Sequence, residues 1–185
     1  MIKHTFFAVT LGLLIFFLYL LQYTGAFKPV AIGISEKGPY IFIYKDHVGP
    51  YHKIVEHIQY VENWAKSNGL SCRYTFGEYL DNPAATEEGR LKSRGGCLID
   101  PNHQNEVDKL TSLQLPRDIQ KMNFEKTKAV VALFNGSPGI GPFKVYPKAE
   151  DFIHKSNLKI KGSVIEVYEV LEKNNMNTTY IWGFQ

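Results

Sequence analysis

Two stretches of this 185-residue chain repeat one another: WAKSNGL at 64–70 matches FIHKSNL at 152–158, an offset of 88 residues. The same offset sets Leu70 on Leu158, Phe76 on Val164 and Glu78 on Glu166. Upstream, GPY at 49–51 meets GPF at 141–143 after a four-residue gap. Each match is slight, but their shared order is specific. It constrains the fold more than any other feature, because it asks for two similar strand–helix–strand–strand units.

The elements of those units follow from local pattern. KPVAIGIS and YIFIYKDHVG, joined at Gly38-Pro39, read as strands. GPYHKIVEHIQYVENWAKSNGL reads as a helix, since Ile54, Ile58, Val61 and Ala65 recur at helical spacing and Gly69 is a suitable stop. CRYTFGEYL and RLKSRGGCLI are strands about the polar turn DNPAATEEG. After a polar segment at 101–114 the pattern resumes: strand signals in IQKMNFEKTKAVVALF, a Gly/Pro loop, and a helix over 143–156 with Pro147 in its first turn. SVIEVYEVL and TTYIWGF close the chain as strands. Many strands and few helices imply an α+β architecture with the helices on one face of the sheet.

One residue looks misplaced in this scheme. Glu166 sits inside the apolar strand GSVIEVYEV, and a carboxylate in a sheet needs water, a partner or a ligand. Strands alternate sides, so Ile165 and Val167 share one face while Val164, Glu166, Tyr168 and Val170 share the other. With the helices on the more uniformly apolar face, Glu166 and Tyr168 should point away from them. The repeat then places Tyr74, Phe76 and Glu78 on the same uncovered face, with Tyr40, Phe42, Tyr44 and Asp46. Tyr180, Trp182 and Phe184 share one side of the last strand. An uncovered face this rich in rings is either an apolar patch or the wall of a groove. Rings with one or two carboxylates suit a flat, apolar or cationic ligand. The expected ligand-binding set is Glu166, Tyr168, Tyr180, Trp182, Tyr74, Phe76, Glu78 and Tyr44. The competing reading is rings packed on each other and a glutamate paired with a neighbouring Lys or Arg.

Residues 1–27 stand apart from this domain, which occupies 28–185. From Phe6 to Leu21 the chain carries no charge, and the run is apolar all round rather than on one face. With its flanks it nearly spans a bilayer core of about 30 Å at about 1.5 Å per residue. It reads as a transmembrane signal anchor, or as a signal peptide cleaved near Thr24-Gly25-Ala26. Lys3 and His4 before the run favour the domain lying on the exterior side. Cys72 and Cys97 fall in facing segments of one hairpin; a disulfide and two small buried thiols both fit that placement. The net charge of +3, with no long basic run, gives no sign of a nucleic-acid partner.

The helix GPYHKIVEHIQYVENWAKSNGL, then FGEYLDNP, then a second half ending in IEVYEV resembles the GyrI-like (AraC effector-binding) small-molecule-binding family, over about residues 28–185. The resemblance implies two pseudo-twofold-related repeats in a curved antiparallel sheet, with two helices on one face and a ligand groove on the other. It also implies that Glu166, matching a glutamate on the late strand of the second repeat, contacts cationic aromatic ligands among tyrosines and tryptophans. Some family members are hydrolases using a groove glutamate and tyrosine. That keeps a hydrolase of electrophilic small molecules open beside a binding domain and a membrane-tethered interaction module. YLDNP at 79–83 and KVYPKAEDFIHKSNLKI at 144–160 resemble a membrane-anchored branch of the family, that of the testis-expressed reticulophagy receptor. The resemblance implies no cofactor.

Other motifs carry less. His52 and His57 are five apart, not the four that sets two metal ligands on one helical face, so no metal site is expected. GSPGIG at 136–141 precedes a helix but lacks the Lys-Ser/Thr of a phosphate-binding loop. Asn135-Gly136-Ser137 and Asn177-Thr178-Thr179 fit the glycosylation sequon.

Overall fold

The structure, a computed structural model, describes residues 2–171 and 176–185; Met1 of the predicted leader lies outside the described residues. Helix α1 (Ile2–Thr24) comes first. The first unit follows: β1 (Val30–Lys37), β2 (Tyr40–Val48), a 3₁₀ turn at Tyr51–Lys53, α2 (Ile54–Ser67), β3 (Tyr74–Tyr79) and β4 (Lys92–Ile99). Helix α3 (Gln104–Ser112) leads to the second: β5 (Gln120–Phe124), β6 (Thr127–Asn135), α4 (Gly141–Lys155), β7 (Ile160–Val170) and β8 (Met176–Phe184).

The eight strands form one sheet in the order β1-β6-β8-β7-β3-β4-β2-β5, antiparallel at every pairing. The two units meet at β3 and β7 in the middle. They also exchange their first strands: β1 pairs with β6 of the second unit, and β5 with β2 of the first. The helix ends repeat as the sequence suggests. After α2, Gly69 takes φ +73 and Leu70 N–H donates back to the Ala65 carbonyl at 3.0 Å; after α4, Asn157 takes φ +50 and Leu158 N–H donates to the Ile153 carbonyl at 3.1 Å. Both are left-handed helix stops, the position where Gly and Asn are the two residues that fit best.

Three apolar clusters hold the layers. Val61, Ala65 and Leu70 of the α2 arm pack on Ile43, Cys97 and Ile99, with Leu110 of α3 joining them. Val145 and Ala149 of α4 pack on Val130, Ala132, Phe134, Tyr180 and Trp182. The third cluster is built from strands alone and holds Phe42, Tyr44, Phe76, Leu98, Ala129, Ile165 and Ile181. Phe42 and Phe76 are 0% exposed there and their ring centroids lie 4.2 Å apart. The face expected to be a ligand groove thus carries a packed cluster of strand residues, with Tyr40, Tyr74, Met122 and Phe124 half-buried around it.

The structure sharpens local expectations at two points and corrects a third. The polar 101–114 segment contains α3, whose inward residues Val107 and Leu110 are too few to stand out as a stripe. The strand signal over 119–134 is two strands, broken at Glu125-Lys126. Helix α4 begins at Gly141, so Pro147 lies inside it rather than in its first turn, and Phe143 loses the N–H it would otherwise bond.

Helix α2 rests directly on the sheet backbone at Gly95. A Cβ there would lie 2.6 Å from Ile58 Cγ1 and 3.0 Å from Ile54 Cγ1, whereas a Cβ on Gly89 would meet nothing within 4 Å. Gly95→Ala should therefore cost about 1–3 kcal/mol by overpacking, read as a lower denaturation midpoint in urea. Gly89→Ala should leave the midpoint nearly unchanged.

Candidate functional site

Register decides which side chains meet. In the β3–β7 pairing Gly77 stands opposite Glu166, and Glu78 stands opposite Ile165. Directly opposed residues of an antiparallel pair share a face. The two glutamates that the sequence repeat aligns therefore lie on opposite faces of the sheet. The 88-residue offset fits the helix ends but is one residue out of step with the central pairing, and one residue is enough to change sides.

Glu78 faces the strand-only core. Ser163 Oγ donates to its Oε1, and Arg94 Nη1 reaches its Oε2 at 3.4 Å. Arg94 also reaches Asp46 Oδ1 at 3.3 Å and lies 5.3 Å from the centre of the Tyr44 ring. Glu78 thus has a cationic partner and fits the paired-carboxylate reading.

Glu166 faces the other way, under α4, and is 3% exposed. Tyr146 of α4 donates its hydroxyl to Oε1 at 2.8 Å, and Tyr168 donates to Oε2 at 2.9 Å. Tyr79 stands 3.0 Å behind Tyr168, hydroxyl to hydroxyl, and its ring packs edge-on against Tyr51 at 4.8 Å. On the other flank Tyr146 meets Tyr180 at 5.9 Å and Trp182 at 5.8 Å, both edge-on. Among the described residues no salt bridge reaches Glu166. Burial pushes its carboxyl pKa up, and the two tyrosine hydrogen bonds only oppose that. Burial, then the neighbouring Glu166, raises the tyrosine pKa values as well, so the hydroxyls stay protonated donors.

Three buried hydroxyls among the described residues lack a hydrogen-bond partner: Ser93, Thr178 and Tyr180. Each stands directly across from a member of this group. Tyr180 faces Glu166, Thr178 faces Tyr168, and Ser93 faces Tyr79. Unpaired buried hydroxyls each cost roughly 1–3 kcal/mol, and here they gather on one layer of the molecule.

The eight expected ligand residues therefore split. Tyr44, Tyr74, Phe76 and Glu78 join the strand-only core or its edge, and Glu166, Tyr168, Tyr180 and Trp182 gather beneath α4. The expectation that Glu166 points away from the helices is reversed, since its face is the one α4 covers. Tyr146 and Tyr79 were not among the expected residues. Tyr146 was legible as part of a helix, and it would have been found had the late strand been given the opposite face.

The remaining motifs have structural occupations. His47 and His57 rings lie 4.7 Å apart, His47 Nε2 is 3.1 Å from the Pro50 carbonyl, and the described residues contain no group of three metal-ligating side chains. Asn135 and Asn177 oppose one another across β6 and β8, joined by a 2.7 Å amide hydrogen bond. Cys72 and Cys97 are bonded, with Cα atoms 5.4 Å apart.

A family model, the GyrI-like small molecule binding domain, matches residues 31–183. No curated protein matches the chain. Among solved structures it is similar to the EcmrR C-terminal domain, at 14% identity and a TM-score of 0.62 over 84% of this chain and 98% of that one. EcmrR in its DNA complex is similar at 13% identity and a TM-score of 0.62, over 98% of this chain and 68% of that one. An uncharacterized conserved protein from Listeria innocua gives 13% identity and 0.54 over 83% of this chain and 92% of that one. At such identities the likeness is one of fold. None of these likenesses supports the reticulophagy-receptor branch.

The raised pKa of Glu166 has a signature in stability. The folded state holds the proton above the ordinary value of 4.5, so stability is greatest below that pH and falls as pH rises toward the raised folded value. Glu166→Gln keeps the shape and removes the titration. Its melting temperature should gain on wild type as pH rises above about 4.5 and should not below it. A pH-independent difference would mean that Glu166 does not hold its proton.

Proposed function

This chain belongs to the GyrI-like small molecule binding domain family, and we propose that it binds an aromatic or otherwise apolar cation at Glu166, beneath α4. The observation that carries the reading is a carboxylate at 3% exposure whose partners among the described residues are tyrosine hydroxyls and no cation. A buried carboxylate gains most from a ligand that brings the missing positive charge, and the rings of Tyr146, Tyr180 and Trp182 offer faces and edges to hold it. Access requires Tyr146, on α4, to give way. Tyr168 belongs to the same site, whereas Tyr44, Tyr74, Phe76 and Glu78 serve the core behind it.

The domain is read as membrane-tethered. Lys3–Thr24 is a helix long and apolar enough to cross a bilayer, with mean hydropathy 2.1. A Cys72–Cys97 bond favours an oxidising, exterior compartment, in keeping with Lys3 on the inner side. A hydrolase would need Glu166 to reach a water, and both of its oxygens are engaged by tyrosines.

Binding of tetraphenylphosphonium to the full chain in detergent micelles, followed by calorimetry, tests the assignment. Glu166→Gln should weaken binding about tenfold or more, a loss of about 1.4 kcal/mol or greater. Glu78→Gln should lower stability while leaving affinity near wild type. Equal affinities in wild type and Glu166→Gln would remove Glu166 from the site.

A further inference from the structure

We propose that the 24–28 linker and the first turn of α4 form a bilayer-contact face, with Phe27 and Phe143 seated in the headgroup layer of the membrane that α1 crosses. The proposal rests on the reading of α1 as a span. At about 1.5 Å per residue a helix of this length just exceeds a hydrocarbon core of about 30 Å, so its last residues leave that core near Thr24. None of the span window is buried against the domain, which leaves it free for lipid.

The linker that follows is fastened rather than loose. Ser137 N–H donates to the Thr24 carbonyl at 2.9 Å. The Lys144 ammonium donates to the carbonyls of Gly25, Ala26 and Lys28. Lys28 Nζ in turn donates to Asn135 Oδ1 at 2.6 Å. Lys144 thereby supplies the positive charge that a helix C-terminus favours. These bonds hold the β6–α4 turn and the start of α4 at the level where α1 leaves the hydrocarbon. The interfacial layer there is roughly 5–8 Å deep.

The two repeats differ at this point. Tyr51, in the GPY that matches GPF, turns into its own unit: its hydroxyl donates to the Asp81 carbonyl at 2.6 Å, accepts from Asp81 N–H at 3.0 Å, and its ring packs on Tyr79. Phe143 does the opposite and is 83% exposed, and Phe27 in the linker is 64% exposed. A phenylalanine left outside on the repeat fastened to the linker, with another in the linker itself, fits an interfacial layer, where Trp, Phe and Leu rest on the apolar side of membrane-lying elements. Continuity with the span selects lipid as the occupant.

The described residues contain no free thiol, so a single introduced cysteine can carry a nitroxide label. Full-length Leu14→Cys, Phe27→Cys, Phe143→Cys and Val48→Cys would be reconstituted in phosphatidylcholine–phosphatidylglycerol vesicles. Val48 is the control, an apolar residue 65% exposed at the matching turn of the other repeat. Relaxation by oxygen would be compared with relaxation by an aqueous nickel chelate. The proposal expects Leu14 to respond to oxygen, Val48 to nickel, and Phe27 and Phe143 to shift from the Val48 response toward that of Leu14. If Leu14 responds to oxygen while Phe143 matches Val48, the anchor stands and the contact face falls. If Phe143 is shielded from both relaxants, a protein rather than lipid covers it. If Leu14 itself responds to nickel, the span reading fails and the contact face with it.

Discussion

The register between β3 and β7 governs this structure. Gly77 faces Glu166 and Glu78 faces Ile165 across the centre of the sheet. That pairing fixes which glutamate looks into the strand-only core and which looks up at α4. A slip of one residue would bring both glutamates onto one face. Glycine opposite Glu166 also leaves space on that face, and Tyr79 uses it: a Cβ on Gly77 would meet the Tyr79 hydroxyl at 3.1 Å. The tyrosine chain Tyr79–Tyr168–Glu166–Tyr146 therefore depends on the same pairing.

The two carboxylates show what their surroundings do to one charge. Glu78 has Arg94 beside it, and Arg94 is shared with Asp46, so the group forms a small network at the rim of the core. Glu166 has no such partner among the described residues, and desolvation dominates its titration. Tyrosine hydroxyls are good donors to a carboxylate, but they bring dipoles rather than charge. Ser93, Thr178 and Tyr180 lie opposite Tyr79, Tyr168 and Glu166, their own hydroxyls without partners among the described residues. A layer so arranged is held short of full satisfaction.

Much of the fold was legible because it is local. Helix periodicity placed α2 and Gly69 marked its left-handed stop, while the matching stop at Asn157 shows only in the structure. Alternation placed Tyr40, Phe42 and Tyr44 correctly on the face without helices. What could not be read was which face of β7 carries α4. The strand offers Ile165 and Val167 on one side and Val164, Glu166 and Tyr168 on the other, and uniform apolarity points to the first side as the helix-packed one. Here that side joins the strand-only cluster, and the mixed side meets α4. Strand pairing across 88 residues is non-local, so the duplicated sequence could suggest the wrong partner for Glu166. The same choice of face puts α4, and Tyr146 with it, on the far side of the sheet from Glu166.

The central claim is that Glu166 is a buried carboxylate awaiting a positive partner. Carbon-13 NMR of its side-chain carboxyl in the full-length protein, assigned by difference against Glu166→Gln, reads that state directly. Without ligand the carboxyl should titrate above the ordinary carboxylate range, and saturating tetraphenylphosphonium should bring its pKa down. A carboxyl that titrates in the ordinary range and ignores the cation would contradict the account.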